Sequence, residues 1–223
     1  MNAINASDDE ALDPAAALAL LNDQQRDIAR QLASLVPWIL FAWGVAWTVG
    51  FGMLWLIDGA RPAFSVPWPV AAVVFAALNL AALIATAILG VRSGRGIRTA
   101  PDAAFTGAVY GSTWTIGFVV IFAFGAALQV NGMDPSLSSI YYPTASAAFV
   151  GIMYILAGGI WHTWSMIVLG GWFALVAAVA PFFGYPANYL IFAVAGGGVF
   201  LLGALAAWIR IARGAPAKGM RRA

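Results

Sequence analysis

LVPWILFAWGVAWTVGFGMLWLI, residues 35–57, contains no Asp, Glu, Lys, Arg or His. A helix needs about 20 mostly apolar residues to cross the hydrocarbon of a bilayer, and this stretch supplies them without a charge. Working outward, similar apolar runs occupy residues 67–90, 106–130, 143–160, 165–183 and 187–209. The short connections Trp161-His162-Thr163-Trp164 and Gly184-Tyr185-Pro186 divide the last three. The expected fold is all-α, a polytopic membrane bundle of six transmembrane helices.

Composition points the same way. The 223 residues are 62% hydrophobic and 9% charged, with a mean hydropathy of +0.87. A soluble domain carries about 25% charged residues, so this chain cannot cover a surface that faces water. Its net charge of +2 and pI near 9.2 do not indicate nucleic acid, because the basic residues stand at the ends of apolar runs rather than on one soluble face. With no cysteine, disulfides, thiolate metal sites and cysteine nucleophiles are excluded. The opening MNAINASDDEALD is acidic and polar, so residues 1–13 are expected to be disordered and not a cleavable signal peptide.

Charge asymmetry orients the bundle. Arg26, Arg30, Arg92, Arg95, Arg98, Arg210, Arg213, Lys218, Arg221 and Arg222 fall on one side, and Arg61 alone on the other. The positive-inside rule then places both termini in the cytoplasm of a multi-pass cell-membrane protein, with residues 210–223 as a basic tail. Ahead of the first span, Asp13-Pro14 reads as an N-cap followed by proline at the first helical position. Leu18, Leu21, Ile28, Leu32 and Leu35 recur at helical spacing between Asp23, Arg26, Asp27 and Arg30. Residues 14–34 are therefore expected to form an amphipathic helix on the inner membrane surface, the alternatives being a short coiled coil or a docked partner.

The first span contains a second signal. Gly44-Val45-Ala46-Trp47-Thr48-Val49-Gly50-Phe51 recurs sixty-seven residues later as Gly111-Ser112-Thr113-Trp114-Thr115-Ile116-Gly117-Phe118, identical at five of eight positions. Trp43, Trp47, Phe51 and Trp55 make an aromatic row at spacing four, as do Tyr110, Trp114, Phe118 and Phe122. Such a row is one inclined ridge of a helix. Gly44 and Thr48, and likewise Gly111 and Thr115, form an adjacent small-residue strip suited to close helix packing. Each threonine is expected to return its hydroxyl to the carbonyl four residues earlier. The natural unit is a two-helix hairpin, so six spans read as three parallel hairpins, the third weakly marked by Gly170-Gly171-Trp172. Leucine at Gly44 or Gly111 is expected to cost more stability than Trp55→Ala, because Trp55 stands near the outer interface.

Chemistry is sparse. No span carries Asp, Glu, Lys or Arg away from its ends, which removes the usual intramembrane carboxylate of a proton-coupled carrier. His162 is the one histidine and, with Trp161 and Trp164, reads as an interface anchor; no metal or other cofactor is expected. Arg92-Ser93-Gly94-Arg95-Gly96-Ile97-Arg98 lacks the Gly-Lys-Ser/Thr ending of a phosphate loop. Catalysis is therefore not expected. Trp47, Trp114, Asn79, Tyr110 and Tyr154 are the candidate binding residues, as aromatic or polar groups at membrane depth. Gly158-Gly159 and Gly196-Gly197-Gly198 mark close helix approach, with a hinge as the alternative.

The leading expectation is a transport-type protein, a permease subunit or facilitator for a small neutral, cationic or flat apolar solute. The alternative is a non-transporting accessory or regulatory protein acting through a partner. Partners consistent with either are the lipid bilayer, a second copy, another membrane protein or a separate ATPase. Size, six spans, aromatic richness and Ala42-x-x-x-Ala46 resemble the substrate-binding membrane subunits of energy-coupling-factor vitamin transporters. A cavity reaching two of Trp47, Trp114 and Asn79 favours transport, and a packed interior favours the accessory role.

Overall fold

The structure is a computed structural model that describes residues 14–94 and 101–213. The expected acidic segment 1–13, Arg95, Arg98 and most of the basic tail lie outside the described residues. Among the described residues every regular element is helical: α1 (Pro14–Trp55), α2 (Trp68–Gly94), α3 (Pro101–Val130), α4 (Pro135–Ile160) and α5 (Trp164–Val179). A 3-10 turn over Ala180–Phe183 follows α5. The last span is built from α6 (Ala187–Ile191), a π-helical stretch Phe192–Gly197 and α7 (Gly198–Ala212). Six segments are long and apolar enough to cross a membrane, as expected of a multi-pass membrane protein. The connections after α1, α3 and the 3-10 turn lie at one end of the bundle, and the other end carries the first and last described residues.

Two boundaries differ from expectation. Residues 14–34 are not a separate helix, because α1 runs without a break for 42 residues, roughly 63 Å. A helix lying flat on the membrane needs a bend near Ser34. Pro37 stands inside α1 just past that point and, having no N–H, leaves the Ala33 carbonyl without its helical donor, yet the helix continues from the polar segment into the span.

Helix α4 begins eight residues before the apolar run that starts at Pro143. Asp134 caps it, accepting the Ser136 amide at 2.7 Å, and Pro135 occupies the first turn. Pro143 is buried inside the helix. Having no N–H, it leaves the carbonyl four residues earlier, that of Ser139, without its helical donor. Asn188 Nδ2 fills the vacancy, donating to that oxygen at 3.0 Å.

The helices pack as a chain of neighbours, α2 against α1, α1 against the last span, that span against α5, α5 against α4, and α4 against α3. The edge helices α2 and α3 have only 6% of their apolar windows buried, against 28–39% in the other four spans, so most of their surface is left uncovered by the other described helices. The core lies between α1, α4, α5 and the last span. Trp47, Phe51, Phe173, Phe192 and Phe200 fill it, with Ala46, Ala147, Ala177 and Ala193 letting the backbones close around the rings. Glycine sets the closest approach: a Cβ on Gly170 would stand 2.5 Å from the Gly151 carbonyl oxygen and 2.7 Å from the Ile155 nitrogen.

Candidate functional site

The two aromatic ridges are placed differently. On α1, the Trp47 indole meets Phe51 at 5.4 Å, Phe173 at 5.1 Å and Phe200 at 5.9 Å between ring centres, all edge to face. Gly196 lies so close to the Trp47 ring that a Cβ there would be 2.7 Å from it. Trp47 is therefore enclosed by its own chain. On α3, Trp114 is half-buried and packs on Phe118, Phe149 and Tyr154.

The local contacts of the two ridges correspond. Trp43 Nε1 donates to Thr86 Oγ1 at 2.9 Å, and Tyr110 Oη donates to the Met153 carbonyl at 3.1 Å, each across 43 residues to the following helix. Gly50 receives the Phe75 ring from α2, and Gly117 receives the Phe149 ring from α4. Phe51 and Phe118 flank those two rings at 5.1 and 5.4 Å. Burial differs because α1 is central and α3 is an edge.

Of the candidate binding residues, Trp47, Trp114, Tyr110 and Tyr154 belong to one ring network, since Tyr154 stacks on Phe173 at 6.2 Å and Phe173 touches Trp47. Asn79 stands apart and bonds back to the Phe75 carbonyl four residues earlier, at 2.9 Å. The small-residue strip divides. A Cβ on Gly44 would meet Leu201 of α7, whereas one on Gly111 would meet nothing within 4 Å. Gly111 and Thr115 lie on the exposed side of α3, so the packing expected of them is absent among the described residues. Thr48 also departs from expectation: among the described residues its buried hydroxyl bonds neither to Gly44 nor to any other group, and Gly197 presses against it. Ala46 is buried within this chain's own core, so the small-residue contact of the first span is already occupied.

The hairpin end holds a polar cluster that sequence reading missed. Tyr185, in the connection before α6, donates its hydroxyl to Asp58 Oδ2, and Arg61 Nε pairs with Asp58 Oδ1 at 3.0 Å. Asn188 is fully buried, with Nδ2 on the Ser139 carbonyl and Oδ1 unpaired. Pro143 was the available signal, since a proline within a helix frees a carbonyl.

Burial first, then the bond to the Asp58 carboxylate, raises the Tyr185 hydroxyl above the ordinary tyrosine value of 10. A group with a raised folded-state pKa contributes stability that is fully present below its unfolded value and lost as pH climbs through the folded one. Tyr185→Phe is therefore expected to lower stability by about 1 kcal/mol at neutral pH. The gap between the two proteins should hold to about pH 9 and shrink above the usual tyrosine range. Detergent melting curves across that range check this, and parallel curves at alkaline pH would contradict it.

Near the start of α3 and the end of α4, the two helices line an open groove of about 290 Å³, with Phe105, Val109, Tyr110, Met153 and Leu156 among its walls. It reaches Tyr110 but none of Trp47, Trp114 or Asn79. Its hydroxyls are already engaged, Thr106 by the Asp102 carbonyl and Thr113 by that of Val109. Trp161 and Trp164 are exposed beside His162, which takes a left-handed φ of 52° in the α4–α5 turn. Among the described residues no three His, Cys, Asp or Glu gather as a metal would require. Comparison with protein-family models, curated proteins and solved structures finds no match for this chain.

Proposed function

We propose that this chain is a non-transporting accessory or regulatory membrane protein, built from parallel two-helix hairpins with cytoplasmic termini, and acting through a partner. The observation that carries this reading is the enclosure of Trp47 by Phe51, Phe173, Phe200 and Gly196. A solute pathway needs a polar or hydrated cavity at membrane depth. Here the α1 ridge is spent on packing, Trp114 and Phe118 of the α3 ridge pack on Phe149, and Asn79 bonds within its own helix. The matching 43-residue bonds support the duplicated hairpin. The arginine asymmetry supports the orientation.

The cysteine-free sequence makes the test direct. Single cysteines at Ala46, Thr48 and Asn79 change little volume and probe the interior. In sealed vesicles they are expected to resist a membrane-impermeant thiol reagent from both sides. Leu18→Cys should react only from the cytoplasmic side, and Phe64→Cys only from the other. Labelling at both Ala46→Cys and Asn79→Cys would reveal a hydrated path and return the function to a permease subunit or facilitator.

A further inference from the structure

The last span changes helix type in mid-membrane, which is a costly thing for a helix to do. Phe192–Gly197 is π-helical between two α-helical pieces. π segments are rare, arise as single-turn bulges and cluster at functional positions. The sequence explains why one is tolerated here: Gly196-Gly197, which ends the segment, has little to lose by leaving the α conformation. It does not explain why the bulge persists. Three contacts of the segment do.

Trp172 on α5 donates its indole N–H to the Ala195 carbonyl at 2.9 Å. That oxygen lies within the wide turn, where carbonyls tilt off the helical ladder and become open to outside donors. Gly196 seats on the Trp47 ring, and Gly197 on the Thr48 backbone and hydroxyl. The bulge is thus clamped between α1 and α5. Yet the clamp is incomplete, since two buried polar atoms around this span lack partners, Thr48 Oγ1 beside the π segment and Asn188 Oδ1 on α6. Unpaired buried groups favour any rearrangement that pairs them.

We propose that Phe192–Gly197 is a two-state hinge in the last span, with the Trp172–Ala195 bond as its latch. Releasing the latch lets the bulge relax toward α-helix. The short α6 piece then pivots relative to α7 and takes with it Asn188 and the adjoining Tyr185, which is tied to Asp58. The hairpin-end cluster and the middle of the membrane move together. α7 is the fixed part, held to α1 through Gly44 on Leu201 and Trp38 on Trp208. Gly198 is the residue a relaxed helix can spare, because a Cβ there would meet nothing within 4 Å. This inference goes beyond the accessory role and holds whichever partner the chain serves.

Spin labels on paired cysteines, read as distance distributions in nanodiscs, test it on the full chain. Asn131 with Leu190 spans the fixed α3–α4 turn and the pivoting piece, and Ser34 with Ile209 spans α1 and α7. Trp172→Phe keeps an aromatic side chain and removes the latch. It is expected to move the Asn131–Leu190 distribution to a second distance and leave Ser34–Ile209 unchanged. Gly198→Ala, which favours α-helix without touching a neighbour, should shift the same pair in the same direction. An Asn131–Leu190 distance that neither substitution alters would overturn the hinge. So would equal broadening of both pairs, which means general loosening rather than a pivot.

Discussion

Gly170→Leu should unfold the protein at a far lower temperature than the wild type, by about 3 kcal/mol or more. The reason is what the new side chain meets. A Cβ on Gly170 would stand 2.5 Å from the Gly151 carbonyl oxygen, and one on Gly151 would stand 2.8 Å from the Ala174 nitrogen. These are backbone atoms of facing helices and cannot rotate aside as a side chain can. The α4–α5 hairpin would have to open, and with it the core shared by Phe173 and Tyr154. Gly44→Leu should cost less, because the atoms nearest its Cβ belong to the flexible Leu201 side chain. Gly111→Leu, a substitution of the same kind at the matching position of the repeat, should fall within about 0.5 kcal/mol of wild type, since its Cβ faces open space. Unfolding of the three variants in detergent gives the order. A Gly111→Leu protein as damaged as Gly170→Leu would mean that α3 packs elsewhere in the native assembly.

That contrast separates what is legible in the sequence from what is not. The six spans are legible because lipid demands apolar side chains and closed backbone bonding whatever the neighbour. Pairing is not legible for the same reason: a helix face toward lipid and one toward another helix are both apolar, so Gly44 and Gly111 look alike in sequence. Their difference arises only because α1 is central and α3 is an edge. The start of α4 does have a signal. Asp134-Pro135 repeats the aspartate–proline signature of Asp13-Pro14, although the apolar run itself begins only at Pro143. Trp55, expected near the outer interface, covers the turn at Gly59 with its indole.

The polar cluster is hidden for a different reason. Asn188 follows Pro186 at the edge of an apolar run, where an amide looks like a loop residue exposed to water. Its burial depends on a proline forty-five positions earlier, which frees the Ser139 carbonyl. The π segment supplies the second such oxygen, on Ala195 for Trp172. In both cases an irregularity in one helix creates an acceptor that a neighbouring polar side chain then fills. These two bonds between helices follow helix defects, and a pattern of apolar periodicity does not reveal them.

Phe173→Ala should be the second most damaging change, at about 3–5 kcal/mol. The ring is fully buried and joins three parts of the bundle, touching Trp47 of α1 at 5.1 Å, Tyr154 of α4 at 6.2 Å and Phe200 of α7 at 4.8 Å. Within a bilayer the unfolded helices remain in apolar surroundings, so little of this cost comes from water. It comes from the dispersion attraction forfeited around a cavity that rigid helices cannot fill. Phe173→Leu retains much of the volume and should lose about 1.5 kcal/mol or less. Phe182→Ala is the control, since that ring is 88% exposed; its unfolding should match the wild type. The cavity also bears on function. In a dry core it should stay empty of water, and Ala46→Cys should remain unreactive toward an impermeant reagent even when combined with Phe173→Ala. Reaction in the double variant but not in Ala46→Cys alone would show water standing one side chain away from Trp47, and would argue against an accessory protein with a packed interior.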